Sequence, residues 1–98
     1  MLNRGRKIIK VKCLLTRLII KLHELGYWED FIMIDRNRYL CCSNEHEFLL
    51  STVRITLFNL FFDDLLGAYK YIHTIVTDDG VKGVLIEDEI CFNQFELN

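Results

Sequence analysis

Tyr69-Lys-Tyr-Ile-His-Thr-Ile-Val-Thr-Asp-Asp-Gly-Val-Lys-Gly-Val-Leu-Ile86 is the stretch on which the fold turns. Apolar and polar side chains alternate on both sides of Asp78-Asp79-Gly80, and a period of two marks a half-buried strand. Asp-Gly between two such runs is the strongest short-range hairpin signal, because glycine accepts the positive φ of a tight turn. The triplet also has the look of a phosphate-sugar loop, in which acids hold ribose hydroxyls and amides at a helix start hold phosphate. That chemistry needs a helix next. Val81-Lys-Gly-Val-Leu-Ile86 is β-branched and contains glycine, which favours strand. The stretch therefore reads as a hairpin, with Gly83 at a bulge or a close backbone approach.

Upstream lies the longest apolar strand candidate, residues 53–62. Val53, Ile55, Leu57 and Phe61 are expected on one face, and Phe58, Leu60 and Phe62 on the other. Apolar side chains on both faces imply a strand covered on both sides. A loop follows from Asp63-Asp64 to Gly67. Residues 31–34 read as a strand, Asp35-Arg36-Asn37-Arg38 as a tight turn and residues 39–42 as its return. Ser43-Asn-Glu-His-Glu47 reads as a polar connector. Residues 89–98 form a tail carrying Phe92, Phe95 and Leu97.

The first long element is a helix over residues 8–25. Val11, Leu14, Leu15, Leu18, Leu22 and Leu25 recur at three and four residues, giving one apolar face. Of these, Leu14, Leu18 and Leu22 are assigned to the core. Gly26 supplies the left-handed stop. Ile9, Cys13, Thr16, Ile20 and His23 share the spacing on another side. A helix apolar on two sides is covered on two sides, the second time by another subunit.

Ninety-eight residues, 51% hydrophobic and without proline, fit one domain, and disorder is excluded. The apolar fraction is high for so small a chain, which points to surface covered by a second copy. The net charge of −2 hides an asymmetry. Arg4, Arg6, Lys7, Lys10, Lys12, Arg17 and Lys21 precede the first acidic residue, Glu24, and the remainder is acidic. Residues 1–7 thus form a basic arm on an acidic body, a split that suits an anionic partner or an oppositely charged neighbour. No uncharged apolar run reaches membrane-spanning length. With no secretory signal, the four cysteines are expected to be reduced thiols of a cytoplasmic protein.

Three segments carry a likeness to a known family. Leu25-Gly-Tyr-Trp-Glu-Asp-Phe31, then Cys41 or Cys42, then Asp79-Gly-Val-Lys-Gly-Val-Leu85 resemble, in order and spacing, a small family of uncharacterised bacterial proteins of Bacteroides type and similar length. The likeness spans about residues 14–86. It implies one helix followed by an antiparallel sheet. Members often carry a phosphoribosyl pyrophosphate synthetase label. The chain departs from the pattern where relatives have Arg-Phe-Glu-Gly and Ser-Asp-Pro segments. It has Thr56-Leu-Phe-Asn-Leu-Phe-Phe62 and Asp63-Asp-Leu-Leu-Gly67 there, and Glu89-Ile-Cys-Phe92 in place of an aromatic-glycine ending.

Cys41, Cys42 and His46 have the makings of half a zinc site, but a structural site wants two closely spaced pairs. Cys13, Cys91, His23 and His73 supply no second pair, so no metal or cofactor is expected. No glycine-rich elbow accompanies a Cys–His nucleophile. His73, between Tyr71 and Ile75 on a strand, reads as a packed histidine. Asp63-Asp64, Asp78-Asp79 and Glu87-Asp88-Glu89 sit at turns and ends, where solvated carboxylates are ordinary.

The expectation is an α+β fold, one N-terminal amphipathic helix packed on a four- or five-stranded antiparallel sheet, with residues 31–86 forming a meander. Functionally the chain reads as a non-catalytic, self-associating interaction module, a dimer foremost, or a partner of another protein. Ile9, Ile20, Phe58 and Phe62 are the interface candidates. One alternative is a nucleic-acid-binding regulator using Arg4, Arg6, Lys7 and Lys10. The other is an enzyme or binder of a phosphorylated sugar at Asp78-Asp79-Gly80.

Overall fold

A computed structural model of the chain describes residues 14–91. The basic arm, the first part of the expected helix with Ile9, and the tail from residue 92 lie outside the described residues. Helix α1 is described over residues 14–24. It is followed by β1 (Glu29–Asp35), β2 (Arg38–Cys41), β3 (His46–Leu49), a single 3₁₀ turn (Leu50–Thr52), β4 (Val53–Asp63), β5 (Ala68–Thr77) and β6 (Lys82–Glu87). All six strands belong to one sheet in the order β3-β2-β1-β6-β5-β4. The α+β class is as expected.

The strand count and directions differ from expectation. His46–Leu49, hidden within a polar segment, forms a strand by pairing with β2 from Arg38↔Leu49 to Cys41↔His46. A four-residue strand with one buried side chain, Phe48, is too short to register as alternation. The sheet is mixed rather than an antiparallel meander: β1 and β6 run parallel, in register at Glu29↔Gly83, Asp30↔Val84 and Phe31↔Leu85, and the other four pairings are antiparallel. Between Asp78 and Val81 the chain turns directly into β6, so residues 82–87 are strand and not helix.

The connection between β3 and β4 dictates the shape. These strands are the two edges of the sheet, yet only three residues separate them. Six flat strands would hold their edges ~24 Å apart at 4.8 Å spacing. Four Cα steps cover at most ~14 Å. The sheet must therefore curl until its edges approach at a corner. The 3₁₀ turn fastens that corner: Leu50 N–H donates to Asn37 O (2.8 Å), and Thr52 O accepts from Asp78 N–H (2.9 Å). It thereby holds both the β1–β2 and the β5–β6 turn.

Curling creates an inner and an outer face, each with its own core. Phe31, Tyr39, Cys41, Phe48, Val53, Ile55, Ile75 and Leu85 fill the inner face, with at least one residue from every strand. On the outer face Leu22 of α1 is fully buried with Ile72 and Val84, flanked by Leu15, Leu18 and Ile19. The buried stripe of the helix is thus Leu15, Leu18, Ile19 and Leu22, while Leu14, assigned to the core from its spacing, is half exposed. A helix end of the Schellman type follows, with Tyr27 N–H on Leu22 O (2.9 Å), Gly26 N–H on His23 O (3.0 Å) and Gly26 at φ 100°. Lys82 then lies over the Tyr27 ring, 4.5 Å from its centre.

A bulge between Leu57 and Asn59 reassigns the faces of β4. Leu57 stands opposite His73 and Asn59 opposite Ile72, so Phe58 is the extra residue. Phe58 and Phe61 both pack on the helix-side cluster. Leu60 and Phe62 pair instead with Tyr71 and Tyr69, on the inner side. The uninterrupted alternation expected from the sequence, which grouped Phe61 with Leu57 and Phe58 with Leu60 and Phe62, is corrected by this one inserted residue.

Gly83 confirms the close approach. A β-carbon there would overlap the Glu29 carbonyl oxygen and sit 2.6 Å from two ring carbons of Phe31. Since a backbone carbonyl in a paired strand has nowhere to go, Gly83→Ala is expected to destabilise by about 1–3 kcal/mol, the usual range for overpacking. A lower urea midpoint with unchanged slope checks this; an unchanged midpoint shows that β1 and β6 are not in contact there.

Candidate functional site

Asp78-Asp79-Gly80 is an exposed turn closed by its own hydrogen bonds. Thr77 N–H bonds Val81 O (2.8 Å), Gly80 N–H bonds Thr77 O (3.0 Å), and Gly80 holds φ 91°. The Thr77 hydroxyl accepts from Val81 N–H (2.9 Å) and donates to the Asp79 carboxylate. That hydroxyl is the main reason the Asp79 carboxyl titrates below its ordinary range. The backbone of Asp78 is spent on the corner with Thr52. Where a phosphate-binding loop would open into a helix, this chain opens into β6.

The cysteines part company. Cys41 points into the inner core and is fully buried, whereas Cys42 is exposed. The Cys41 thiol sits 3.8 Å from a Glu29 carboxylate oxygen and 3.6 Å from the Ser43 hydroxyl, which itself donates to Glu29 at 2.6 Å. His46 pairs with Cys41 across β2 and β3, but its ring packs at a tilt of 51° against Phe48, with centroids 4.7 Å apart. Among the described residues no three of His, Cys, Asp and Glu are gathered as metal ligands.

The densest polar constellation lies at the mouth of the curled sheet, and sequence reading missed it. After β6 the segment Asp88–Cys91 folds back beneath the inner face. Lys70 binds Asp88, Arg36 reaches Glu89 at 3.7 Å, and Cys91 N–H donates to His73 Nε2 at 2.9 Å. His73 is fully buried, and its Nδ1 lies 3.0 Å from Leu85 O. A carbonyl accepts only, so Nδ1 carries the proton. An amide donates only, so Nε2 is bare. The ring is therefore the neutral Nδ1–H tautomer, and desolvation accordingly pushes its pKa down. Only the isolated histidine among apolar neighbours hinted at this; its partner lies eighteen residues on.

Beside this segment is a cleft of about 260 Å³, lined by Met33, Arg36, Tyr39, Leu50, Glu89 and Cys91 among others. Burial, followed by the charges of Glu87 and Glu89, pushes the Cys91 thiol up to about 11. Its Sγ lies 3.9 Å from Met33 Sδ and 3.5 Å from Glu89 O. A protonated thiol is a poor nucleophile, and the histidine lone pair nearest to it is occupied by a backbone amide.

Of the interface candidates, Ile20 and Phe62 are exposed, Phe58 is half-buried in the helix-side cluster, and Ile9 lies outside the described residues. Arg4, Arg6, Lys7 and Lys10 also lie outside them. Among the described residues no helix is long and apolar enough to cross a membrane. Large exposed apolar side chains include Ile32, Ile34, Leu49, Ile86 and Ile90, and two further groups lie elsewhere. Leu14, Ile20, Leu25 and Trp28 follow the helix and its exit, with the Trp28 ring stacked on His23 at 5.7 Å. Leu60, Phe62, Leu65, Leu66 and Tyr69 occupy the far end of the β4–β5 hairpin. No family model, curated protein or solved structure matches the chain.

Native-state thiol labelling at neutral pH is expected to modify Cys42 well ahead of Cys41 and Cys91, because exposure and thiolate fraction govern the rate. Peptide mapping by mass spectrometry checks the order. Equal labelling of Cys41 and Cys42 contradicts the inward position of Cys41.

Proposed function

We propose that this protein is a non-catalytic, self-associating interaction module whose contact surface is the far end of the β4–β5 hairpin. One observation carries the reading. β6 stops at Glu87, opposite Tyr71, while β4 and β5 continue pairing to Phe62↔Tyr69 and Asp63↔Ala68. The hairpin thus outruns the sheet, and what it presents there is apolar.

Leu60 and Phe62 oppose Tyr71 and Tyr69 on one face, with the Phe62 and Tyr69 rings edge to face at 5.1 Å. Leu65 and Leu66, 77% and 64% exposed, extend the surface into the turn. An aromatic side chain offers ~200 Å², so these five at their exposures leave on the order of 500 Å² per copy. Two copies about a two-fold axis would bury on the order of 1,000 Å², the lower end for a specific interface. A self-matched patch is what a two-fold pair requires. Polar residues are ordinary at a projecting turn, and five large apolar ones there want cover.

Light scattering during size exclusion is expected to give a dimer at micromolar concentration, and Phe62→Asp is expected to give a monomer of unchanged thermal midpoint. A wild-type monomer throughout the micromolar range counts against self-association. Dissociation by Ile20→Asp but not by Phe62→Asp moves the contact to the helix and overturns the hairpin assignment.

A further inference from the structure

We propose that Asp88–Cys91 is a strap latched across the mouth of the inner core by neutral His73, and that protonation of this histidine releases it and opens the cleft beside Tyr39 and Met33. The latch does not depend on the hairpin contact and survives if that contact is disproved.

The chemistry lies in one atom. His73 Nε2 is the acceptor for Cys91 N–H, and a proton there turns it into a donor facing another donor. The attraction becomes a repulsion, and the new charge sits at a fully buried position. Nδ1 offers no escape, because it is already committed to Leu85 O. Relief comes from the side of the bond that can move. His73 is fixed in the middle of β5 between β4 and β6. Cys91 lies in a segment without strand pairing, held otherwise, among the described residues, by the packing of its own thiol against Met33 at the margin of the inner core and by two ion pairs, Arg36–Glu89 and Lys70–Asp88. Ion pairs with an exposed partner contribute little, so the histidine bond is the buried polar fastening.

The backbone of Leu85 and of Tyr71 favours a charged ring, but desolvation outweighs both, and among the described residues the facing side chains bring no free counter-charge. In register with His73, β4 presents Leu57 and β6 presents Leu85. Met33 of β1 and Tyr39 of β2 line the cleft with their thioether and hydroxyl. The strap contributes the Cys91 thiol and the already paired Asp88 and Glu89. Glu87, whose charge acts on the Cys91 thiol, takes a backbone hydrogen bond from Met33, and burial raises its own pKa above the ordinary carboxylate value. Its effect must be separated by mutation.

The direction follows from linkage. The closed-state ring titrates below the ordinary value of 6.5 because it is desolvated, and lifting the strap removes part of that cover, which moves the ring back toward the ordinary value. Above 6.5 neither state binds the proton, and the latch is at full strength. As the pH falls below 6.5 the open state gains protons first, and its population rises by up to about tenfold per pH unit until the closed-state pKa is reached.

The test is thiol labelling of the full chain with a dithiodipyridine, which reacts in mild acid, with each cysteine quantified by peptide mapping. Exposed Cys42 serves as the internal standard. The Cys91:Cys42 labelling ratio is expected to climb steeply from pH 7 to pH 5 while Cys41 stays protected. His73→Phe is expected to make the ratio high and flat with pH, and Glu87→Gln to keep the wild-type slope. A flat wild-type ratio overturns the proposal. So does Cys41 becoming labelled in step with Cys91, which means global unfolding, or loss of the slope in Glu87→Gln. Should His73→Phe fail to fold, the wild-type Cys91 amide resonance decides: it must titrate together with the His73 ring, and independent titration overturns the latch.

Discussion

The contact on which the molecule depends is the parallel pairing of β1 with β6. Through it a three-stranded N-terminal unit and a three-stranded C-terminal unit become one sheet. Only three residue pairs make the join, and Gly83 sits against the edge of the Phe31 ring at one end of it. The neighbours of Gly83 look both ways: Val84 completes the outer cluster against Leu22 of the helix, and Leu85 completes the inner one against Phe31 and Ile75. Separating β6 from β1 would therefore open both cores together. Absence of a side chain at one position is what lets two strands of opposite origin come close enough to share apolar residues on both faces.

Curvature is the second constraint, and it follows from chain length. Three residues bridge the two edges of a six-stranded sheet, so flatness is geometrically impossible. The resulting mouth is where the polar chemistry accumulates, since backbone groups leaving β6 beneath the inner face need partners away from water. His73 supplies one of them to the Cys91 amide, while Arg36 at the rim pairs with the Glu89 carboxylate. The hairpin of β4 and β5 outgrows this curled body, and among the described residues its end lacks the cover that α1 gives to the other side of the same strands.

What could be read from the residues was local, and what could not was relational. Asp78-Asp79-Gly80 announced its turn, Gly26 its helix stop and Gly83 its close approach, because each is a backbone property tied to residue type. The α+β class followed from period alone. β3 escaped because its single buried residue, Phe48, lies among charged neighbours and becomes a strand only through its pairing with β2. The bulge at Phe58 escaped because apolar residues run on both sides of it, so a slip of one position changes no pattern. The parallel direction of β1 and β6 has no signature in either segment; it arises from sheet order. The His73–Cys91 bond, likewise, joins a histidine legible only as packed to a cysteine eighteen residues on, with nothing in either segment to link them.

The order in which the chain emerges during synthesis gives that sheet order a kinetic meaning. Glu29 and Gly83 are more than half the chain apart, and β6 is nearly the last strand to be made. Long-range pairings of this kind slow folding, because loop closure precedes any gain from contact. Until β6 arrives, β1 has one bare edge and Phe31 has no glycine to rest on. A growing chain on the ribosome therefore carries an open strand edge that belongs to its own far end, and crowding by sister chains at that moment favours mispairing over completion.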